Sequence, residues 1–469
     1  MLNARRRLSP HLAAPVALAA LIVLVAFGSS GVQVLDRIGS PGRWAALLLL
    51  VAVAGATVLF RKAPLRLTPV LCTVASLAVL GLVSAAWSVL PSLTLQRAGT
   101  FAVLLLAAAL LGLAAAADAS LARLLVQALV VAALVLALLG LIHYLADASA
   151  AVQAANVTAG ARFRGIGENP NTLPMLYAIV LPAAAWLALT TERLPVRLAW
   201  LAAAALLLGS ISASSSRGAM VGAAPAVALV LLLAARGKVL AVAAAVAAAM
   251  FALAVAGTTI SGPLSTQPVA VATSAPAATG AASTVSSATD MRSLVAADGT
   301  PADLIADVGA DPNEVGRPRP GLVGETVRRT LFGSSGRAQA WDGGLRQSLE
   351  RPLLGYGFGT EDRVFLDRFY VFVSARIENS YLGLWLQIGL VGLFVFLAVL
   401  AALAGRLARS WRDLRRSPGP SVAAAGIVVS GAVMAIPQSY VYSVGNVATA
   451  AFWVGALMLG AGAARERAR

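Results

Sequence analysis

Cysteine, histidine and charge are all scarce in this chain of 469 residues. Its one cysteine, Cys72, excludes a disulfide within the chain. Its two histidines, His11 and His143, argue against a metal centre built on histidine ligands. Charged residues make up 12% of the sequence, against roughly 25% in ordinary soluble domains. An ordinary soluble fold is therefore excluded.

Apolar residues dominate instead, at 59% of the chain with a mean hydropathy of +0.83. Leucine, alanine and valine run without the alternation of barrel strands, so we expect an all-α polytopic membrane protein. Taking about 20 apolar residues as one crossing, we predict about twelve transmembrane helices. The predicted spans are residues 12–28, 44–60, 68–87, 100–117, 121–146, 172–191, 197–213, 218–235, 239–257, 380–405, 420–438 and 446–464.

The net charge of +16 has to be read connection by connection in a membrane protein. Alternate connections carry Arg5, Arg6, Arg7, Arg61, Lys62, Arg66, Arg123, Arg193, Arg197, Arg236, Lys238, Arg406, Arg409, Arg412, Arg415, Arg416, Arg465, Arg467 and Arg469. The short connections between them carry only Arg37, Arg43, Arg97, Arg162, Arg164 and Arg217. By the positive-inside rule the first set faces the cytoplasm, so we predict that both termini are cytoplasmic. The first apolar run is too long for a cleavable signal peptide and predicts an uncleaved span.

This topology divides the chain into three parts. Residues 1–257 hold the first nine predicted helices, residues 258–379 form a long extracytoplasmic loop, and residues 380–469 hold the last three helices and a basic cytoplasmic tail. Within the loop, residues 261–300 are rich in serine, threonine, alanine and proline, which predicts a mobile segment. Trp341, Leu345 and Leu349 recur every fourth residue, which predicts a helix near 335–351 lying in the membrane interface.

Arginines on the predicted outer face are candidates for binding an anion. Arg217 follows a hydroxyl-rich turn between two spans, where a planar guanidinium suits phosphate oxygens, although it could instead snorkel at a helix end. Arg337 begins the predicted interfacial helix and could equally be an exposed charge. From the residues alone, Arg162 and Arg164 are expected to be solvated loop charges.

Acidic residues on the same face allow two interpretations. Glu378 and Glu168 each precede an apolar run, and a carboxylate in the first turn of a helix is favoured by the helix dipole. The alternative interpretation is that these two carboxylates take part in chemistry at the outer face. Glu361, Asp362 and Asp367 have no spacing typical of a metal site and are expected to be solvated.

Five short motifs occur in order between residues 165 and 382. They are G-x-x-x-N-P-N from Gly165, S-S-R-G around Arg217, S-G-R-x-x-x-W around Arg337, P-L-x-G-x-G-x-G at 352–359, and N-S-Y-L from Asn379. In this order, with a long outer loop before the last three spans, the set resembles the superfamily of O-antigen ligases and Wzy polymerases, which are membrane glycosyltransferases. The resemblance covers about residues 160–460.

The resemblance implies a GT-C-like fold and an inverting, metal-independent transfer that needs no cofactor. The implied donor is an undecaprenyl-diphosphate-linked glycan, whose diphosphate Arg217 and Arg337 would hold with help from Arg164. Glu378 stands where the ligases commonly have a histidine thought to activate the acceptor hydroxyl, and a carboxylate can also accept that proton. The predicted substrate-binding residues are Asn169, Asn171, Trp341, Tyr356, Asn379 and Tyr381.

The departure at Glu378 favours a Wzy-like polysaccharide polymerase, which extends a lipid-linked glycan on the outer face of the bacterial cytoplasmic membrane. An O-antigen ligase acting on lipid A core and a protein O-oligosaccharyltransferase are alternatives within the same chemistry. From other classes, a transporter or flippase would place its polar residues near the bilayer midplane, and a scaffold would not need Arg217. The expected partners are the lipid-linked donor, a glycan acceptor and the bilayer, and not nucleic acid.

Overall fold

A computed structural model describes residues 10–64, 67–154, 161–235, 337–366 and 376–462. Helices make up nearly all of the regular structure in these ranges, as an all-α polytopic membrane protein requires. A single short hairpin, β1 (Val152–Gln153) with β2 (Arg162–Phe163), pairs antiparallel in the described part of the chain.

Fourteen α-helices occur in the described ranges. They are α1 (Pro10–Phe27), α2 (Gln33–Phe60), α3 (Pro69–Val83), α4 (Pro91–Ala117), α5 (Ala119–Ala146), α6 (Ala148–Ala151), α7 (Thr172–Thr190), α8 (Leu194–Ala213), α9 (Arg217–Ala234), α10 (Arg337–Glu350), α11 (Glu361–Val364), α12 (Ser380–Arg416), α13 (Pro420–Met434) and α14 (Val447–Ala461). A turn of 3-10 helix, Ser84–Ala86, extends α3.

Eight of these helices are long and apolar enough to cross a membrane, namely α2, α3 with its 3-10 turn, α4, α5, α7, α8, α9 and α12. The shorter apolar helices α1, α13 and α14 lie at three further predicted spans. The predicted span at 239–257 and the serine-rich segment at 261–300 lie outside the described residues. The number of crossings and the GT-C-like fold therefore stay predictions.

Small residues let the central helices approach closely. Helices α7 and α14 are buried along almost their whole length. A side chain on Gly112 of α4 would collide with the backbone of Leu457 on α14, and one on Gly455 of α14 would collide with Ile427 of α13. Such contacts hold helices together where lipid removes the hydrophobic drive for association.

The basic connections gather at one end of the bundle. Arg61 pairs with Asp118, and Arg123 donates a hydrogen bond to Thr191 at 3.2 Å. At the same end, Trp186 Nε1 donates to the carbonyl oxygen of Pro418 at 3.0 Å. This grouping agrees with the alternation of charge in the sequence. We call the opposite end the outer end, after the predicted topology.

Helix α10 lies within the stretch predicted as a helix, and its two faces differ in burial. Ala340 and Gly344 are buried against the protein, where a side chain on Gly344 would overlap Ile377. Leu345 and Leu349 are 38% and 58% exposed. Leu345 and Leu349 thus point away from the bundle, whereas Trp341 of the same predicted face packs against it. The depth of α10 in a membrane stays a prediction.

Candidate functional site

The connection between α13 and α14 organises the outer end. Hydropathy predicts a span to residue 438, but α13 ends at Met434 and residues 435–446 form a polar loop. We call this segment the α13–α14 loop. Ser380 donates from its backbone to Ala435 O at 2.8 Å and from its hydroxyl to Gln438 O at 2.6 Å. The loop is thereby fixed to the first turn of α12.

Arg337 and the first turn of α9, which begins at Arg217, both approach Pro437 of this loop. The Nε atom of Arg337 donates to the carbonyl oxygen of Pro437 at 3.1 Å. On the other helix, a side chain added to Gly218 would lie 3.1 Å from the ring of Pro437. Arg217 is the first residue of α9 and is half-buried, and Ser215 just before it has a φ of +50°. Arg337 and the helix start that carries Arg217 therefore both lie next to Pro437.

Arg162 is buried, which corrects the expectation of a solvated charge. It is 8% exposed, and its Nε donates to Ser214 O at 2.8 Å. One of its terminal nitrogens donates to Asn171 Oδ1 at 2.8 Å, an atom that also accepts from Ser216 at 3.2 Å. Arg162 therefore ties the Asn-Pro-Asn turn to the turn before Arg217. This network occupies the side-chain oxygen of Asn171, a residue predicted to bind substrate.

The neighbouring candidates Arg164 and Asn169 make local contacts. Arg164 is half-buried and donates from Nε to Ala150 O at 2.9 Å. Asn169 is exposed, and its side-chain oxygen accepts from the backbone of Asn171 at 2.8 Å. The structure thus places both on the same loop as Asn171.

Glu378 has an unusual backbone conformation. Its φ is +57°, a left-handed value that costs a residue with a long side chain on the order of 1–3 kcal/mol. Its carbonyl oxygen accepts from Trp341 Nε1 at 3.3 Å, which fixes the peptide group. Glu378 does not begin the helix. The cap of α12 is Asn379, whose side-chain oxygen accepts from Tyr381 N and Leu382 N.

Three residues predicted to contact substrate also make contacts that hold the fold. Asn379 is 8% exposed, caps α12 and donates from its backbone to Ser439 at 3.0 Å. Tyr356 is 3% exposed and donates from its hydroxyl to Glu350 at 2.7 Å. The hydroxyl of Tyr381 donates to Ala432 O at 2.9 Å. These contacts keep the loop, α10 and α12 in place around Glu378.

Glu361 is 3% exposed, so the expectation that it is solvated was wrong. Its carboxylate accepts from Ile377 N at 3.0 Å, from Ser439 at 2.9 Å and from the hydroxyl of Tyr442. Burial raises the pKa of Glu361 above its ordinary value, while the charge of Arg376 and these three hydrogen bonds oppose that shift. Sequence reasoning missed this residue, because its partners Ser439 and Tyr442 lie 78 and 81 positions away in the chain.

Asp362, beside it, forms an ion pair with Arg97 of α4, one branch of which is 3.0 Å long. Burial raises the pKa of Asp362, but the hydrogen bond and charge of Arg97 outweigh it and leave the pKa below its ordinary value. Arg97 also donates to Gly359 O. This contact fixes residues 352–359, which we call the glycine-rich turn, to the bundle. Asp367 lies outside the described residues. Within the described ranges no three histidine, cysteine or acidic residues cluster as a metal site would need.

These contacts define a class of protein: a multi-pass membrane protein with two arginines and a strained glutamate gathered around one loop at one end of its helices. A comparison with known protein families makes this class more specific. Residues 202–397 match the Wzy_C family, which is described as O-antigen ligase. The match confirms the resemblance drawn from the motifs, and it contains Arg217, Arg337 and Glu378. No curated protein sequence matches the chain.

Proposed function

We propose that this protein transfers a glycan from an undecaprenyl-diphosphate carrier to a glycan acceptor at the outer end of its helices. The family match supports membrane glycosyltransferase chemistry of this general kind. The observation that carries the proposal is the convergence of separate motifs on the α13–α14 loop. Arg337 and the turn of Arg217 reach Pro437, and the peptide after Glu378 reaches Ser439.

Arg217 and Arg337 would hold the donor diphosphate. A guanidinium offers a planar pair of donors that matches phosphate oxygens, and a diphosphate held by two of them is a good leaving group. Arg217 is the first residue of α9, so the backbone amides of that helix end add to the positive field around it. Arg164, whose Nε donates to Ala150, would assist from the neighbouring loop.

Glu378 would activate the acceptor. The acceptor hydroxyl oxygen attacks the anomeric carbon, the bond from that carbon to the phosphate oxygen breaks, and the hydroxyl proton passes to the carboxylate of Glu378. The lipid diphosphate leaves with the bonding electrons, and one displacement inverts the anomeric centre. Because its left-handed backbone is held by Trp341 and Asn379, the glutamate is positioned before substrate arrives.

Two acceptors fit this chemistry. A polymerase would add the glycan to the non-reducing end of another lipid-linked unit, and this is our first choice because Glu378 replaces the histidine common in ligases. A ligase would add it to lipid A core, and the family description favours that candidate. Both place the protein in the bacterial inner membrane with the site facing outside.

Glycan banding from a deletion strain tests the proposal. The strain is complemented with wild type, Arg337→Ala, Arg217→Ala or Glu378→Gln, and with Arg346→Ala as a control. Arg346 is an exposed arginine on the same helix as Arg337, paired with Asp342 four residues away. We expect the three site variants to lose the mature glycan and the control to retain it.

The banding pattern then separates the two acceptors. Accumulation of single lipid-linked repeat units would support a polymerase, whereas long chains left on the lipid carrier would support a ligase. If the site variants make wild-type glycan at wild-type protein levels, the transferase proposal fails and transport becomes the better hypothesis.

A further inference from the structure

A pocket is lined by residues 442–445 of the α13–α14 loop, whereas Arg337 contacts that loop at Pro437. Its volume is about 360 Å³, and it is lined by α2, the first turns of α4, the glycine-rich turn and the loop. Its charged lining residues are Arg43, Arg97, Glu361, Asp362 and Arg376. None of them belongs to the site assigned to the donor diphosphate.

The charges in this pocket do not balance. Asp362 is paired with Arg97, and Arg376 acts electrostatically on Glu361. Arg43 is the third arginine, and it makes no ion pair within the ranges that the structure describes. The three arginines outnumber the two carboxyls, so the lining keeps an excess of positive charge and favours an anionic ligand.

Arg43 is also held in place by its surroundings. Its guanidinium packs over the ring of Trp44, with its central carbon 4.9 Å from the ring centre. A side chain on Gly28 or Gly445 would come within 3.3 or 3.7 Å of one terminal nitrogen, so both glycines leave room for the group. Its Nε atom is buried and has no hydrogen-bond partner in the described part of the chain. A buried donor of this kind favours a ligand that supplies the acceptor.

The rest of the lining suits a sugar ring. Gln96, Thr100 and Ser443 offer amide and hydroxyl groups, and the Trp44 ring, 39% exposed, offers a flat apolar surface. The volume lies at the lower end of small-molecule pockets, roughly 300–1,000 Å³. Arg376 connects this pocket to the proposed active site, since it lies two residues before Glu378 and hydrogen-bonds the loop at Ser443.

We propose that this pocket binds an acidic sugar of the acceptor glycan, with Arg43 as the principal contact to its carboxylate. The inference rests on the proposed function, because it assigns the pocket to the acceptor of that transfer. The acceptor hydroxyl would then approach Glu378 from the pocket while the diphosphate is held by Arg217 and Arg337.

Binding to the full-length protein in detergent tests this without relying on activity. The melting midpoint is followed at constant ionic strength while sodium glucuronate, glucose or inorganic phosphate is added, because a ligand that binds only the folded state raises it in proportion to affinity. We expect glucuronate to bind. The affinities for glucose and for phosphate should each be lower than that for glucuronate by about tenfold or more. Arg43→Gln should weaken glucuronate binding by about tenfold, and Arg43→Lys by less. Arg346→Gln, the exposed arginine control, should leave it unchanged.

Glu378→Gln separates the two proposals. It should keep glucuronate binding while losing glycan transfer. Transfer retained in Glu378→Gln would overturn the proposed function alone. Glucuronate binding that is absent in the wild type, or unchanged in a folded Arg43→Gln variant, would overturn the pocket assignment alone. Preference for phosphate over glucuronate would also overturn it, and would point to a phosphorylated ligand such as a lipid headgroup.

Discussion

Arg337 donates a hydrogen bond from Nε to the carbonyl oxygen of Pro437 at 3.1 Å, joining parts of the chain that are 100 positions apart. The contact is possible because α13 ends at Met434 and leaves Pro437 in a loop. It orients the guanidinium of a residue that was selected from sequence only for its motif. The orientation of that planar group, as well as its charge, should therefore matter.

Substitution of Arg337 by lysine tests this distinction. Lysine keeps the charge and loses the planar fork, so we expect Arg337→Lys to lose most glycan transfer. Protein level should hold, because the lost hydrogen bond contributes only about 1 kcal/mol to folding. The measurement is glycan banding beside an immunoblot, with Arg346→Lys as the exposed control. Wild-type banding in Arg337→Lys would show that a point charge is sufficient.

Asn171 offers a test of whether a predicted substrate residue acts through the fold. Its Oδ1 accepts from both Arg162 and Ser216. Asn171→Asp keeps an acceptor at that position and should fold normally. Asn171→Ala leaves a buried guanidinium short of a partner and should reduce the free energy of unfolding by about 1–3 kcal/mol. Melting midpoints in detergent measure this. An Asn171→Ala protein with normal stability and no transfer would instead support direct contact with substrate.

Hydropathy was informative about the helices because a lipid-facing helix has to be apolar along its length. It was less informative about their ends. Helix α2 begins at Gln33 and not near residue 44. Hydropathy missed its first turns because they are polar, with Ser40 donating a hydrogen bond to Asp36 within the helix. For α13 the predicted span is too long, because it includes Pro437 and Gln438, which lie beyond the end of the helix at Met434. A polar Pro-Gln-Ser interruption between apolar runs was the signal that could have identified the loop.

The candidate site shows the same limit. Motif spacing identified Arg217, Arg337 and Glu378, and the structure places all three around one loop. Burial could not be predicted for Arg162 or Glu361, because their partners come from distant parts of the chain. A sequence motif indicates which residues are needed together. It does not indicate which of them contact substrate and which hold the others in place.

The raised pKa of Glu361 predicts how stability depends on pH. The folded state favours the protonated carboxyl, so its contribution is fully present below the unfolded pKa of about 4.3 and is lost as pH rises through the folded pKa. Glu361→Gln is neutral at every pH and lacks this slope. The melting midpoint of wild type relative to Glu361→Gln should therefore fall with rising pH and then level off. A difference that grows with pH would show that Arg376 stabilises the ionised form.

Asp362 should behave in the opposite way. Its folded pKa is depressed by Arg97, so its contribution is present above the unfolded pKa of about 3.9 and is lost as pH falls through the folded pKa. Asp362→Asn should lower the free energy of unfolding by about 1–3 kcal/mol at neutral pH and by little in strong acid. Melting midpoints of the two proteins at pH 7 and in acid provide the check. An equal loss at both would assign the effect to packing and not to the ion pair.

The glycine-rich turn should be the most sensitive backbone in the site. Gly357 has a φ of +106°, and a side chain there would overlap Ser88. Its amide also donates to Gln387 O at 2.7 Å, which fixes the turn to α12. We expect Gly357→Ala to reduce the free energy of unfolding by about 3 kcal/mol, since backbone strain and steric overlap add. Gly99→Ala is the matched control, because, apart from the adjoining residues and the backbone of its own helix, no described atom lies within 4 Å of the added carbon.

In that control, alanine in the middle of α4 should raise stability by about 0.5–1 kcal/mol. The melting midpoints of both variants give the comparison. The turn lies between α10, which carries Arg337, and α11, which carries Glu361. Distortion of the turn should therefore disturb both the proposed diphosphate site and the proposed acceptor pocket. Gly357→Ala should therefore reduce both glycan transfer and glucuronate binding. A stable Gly357→Ala protein with both activities intact would show that the two sides are held in position without this turn.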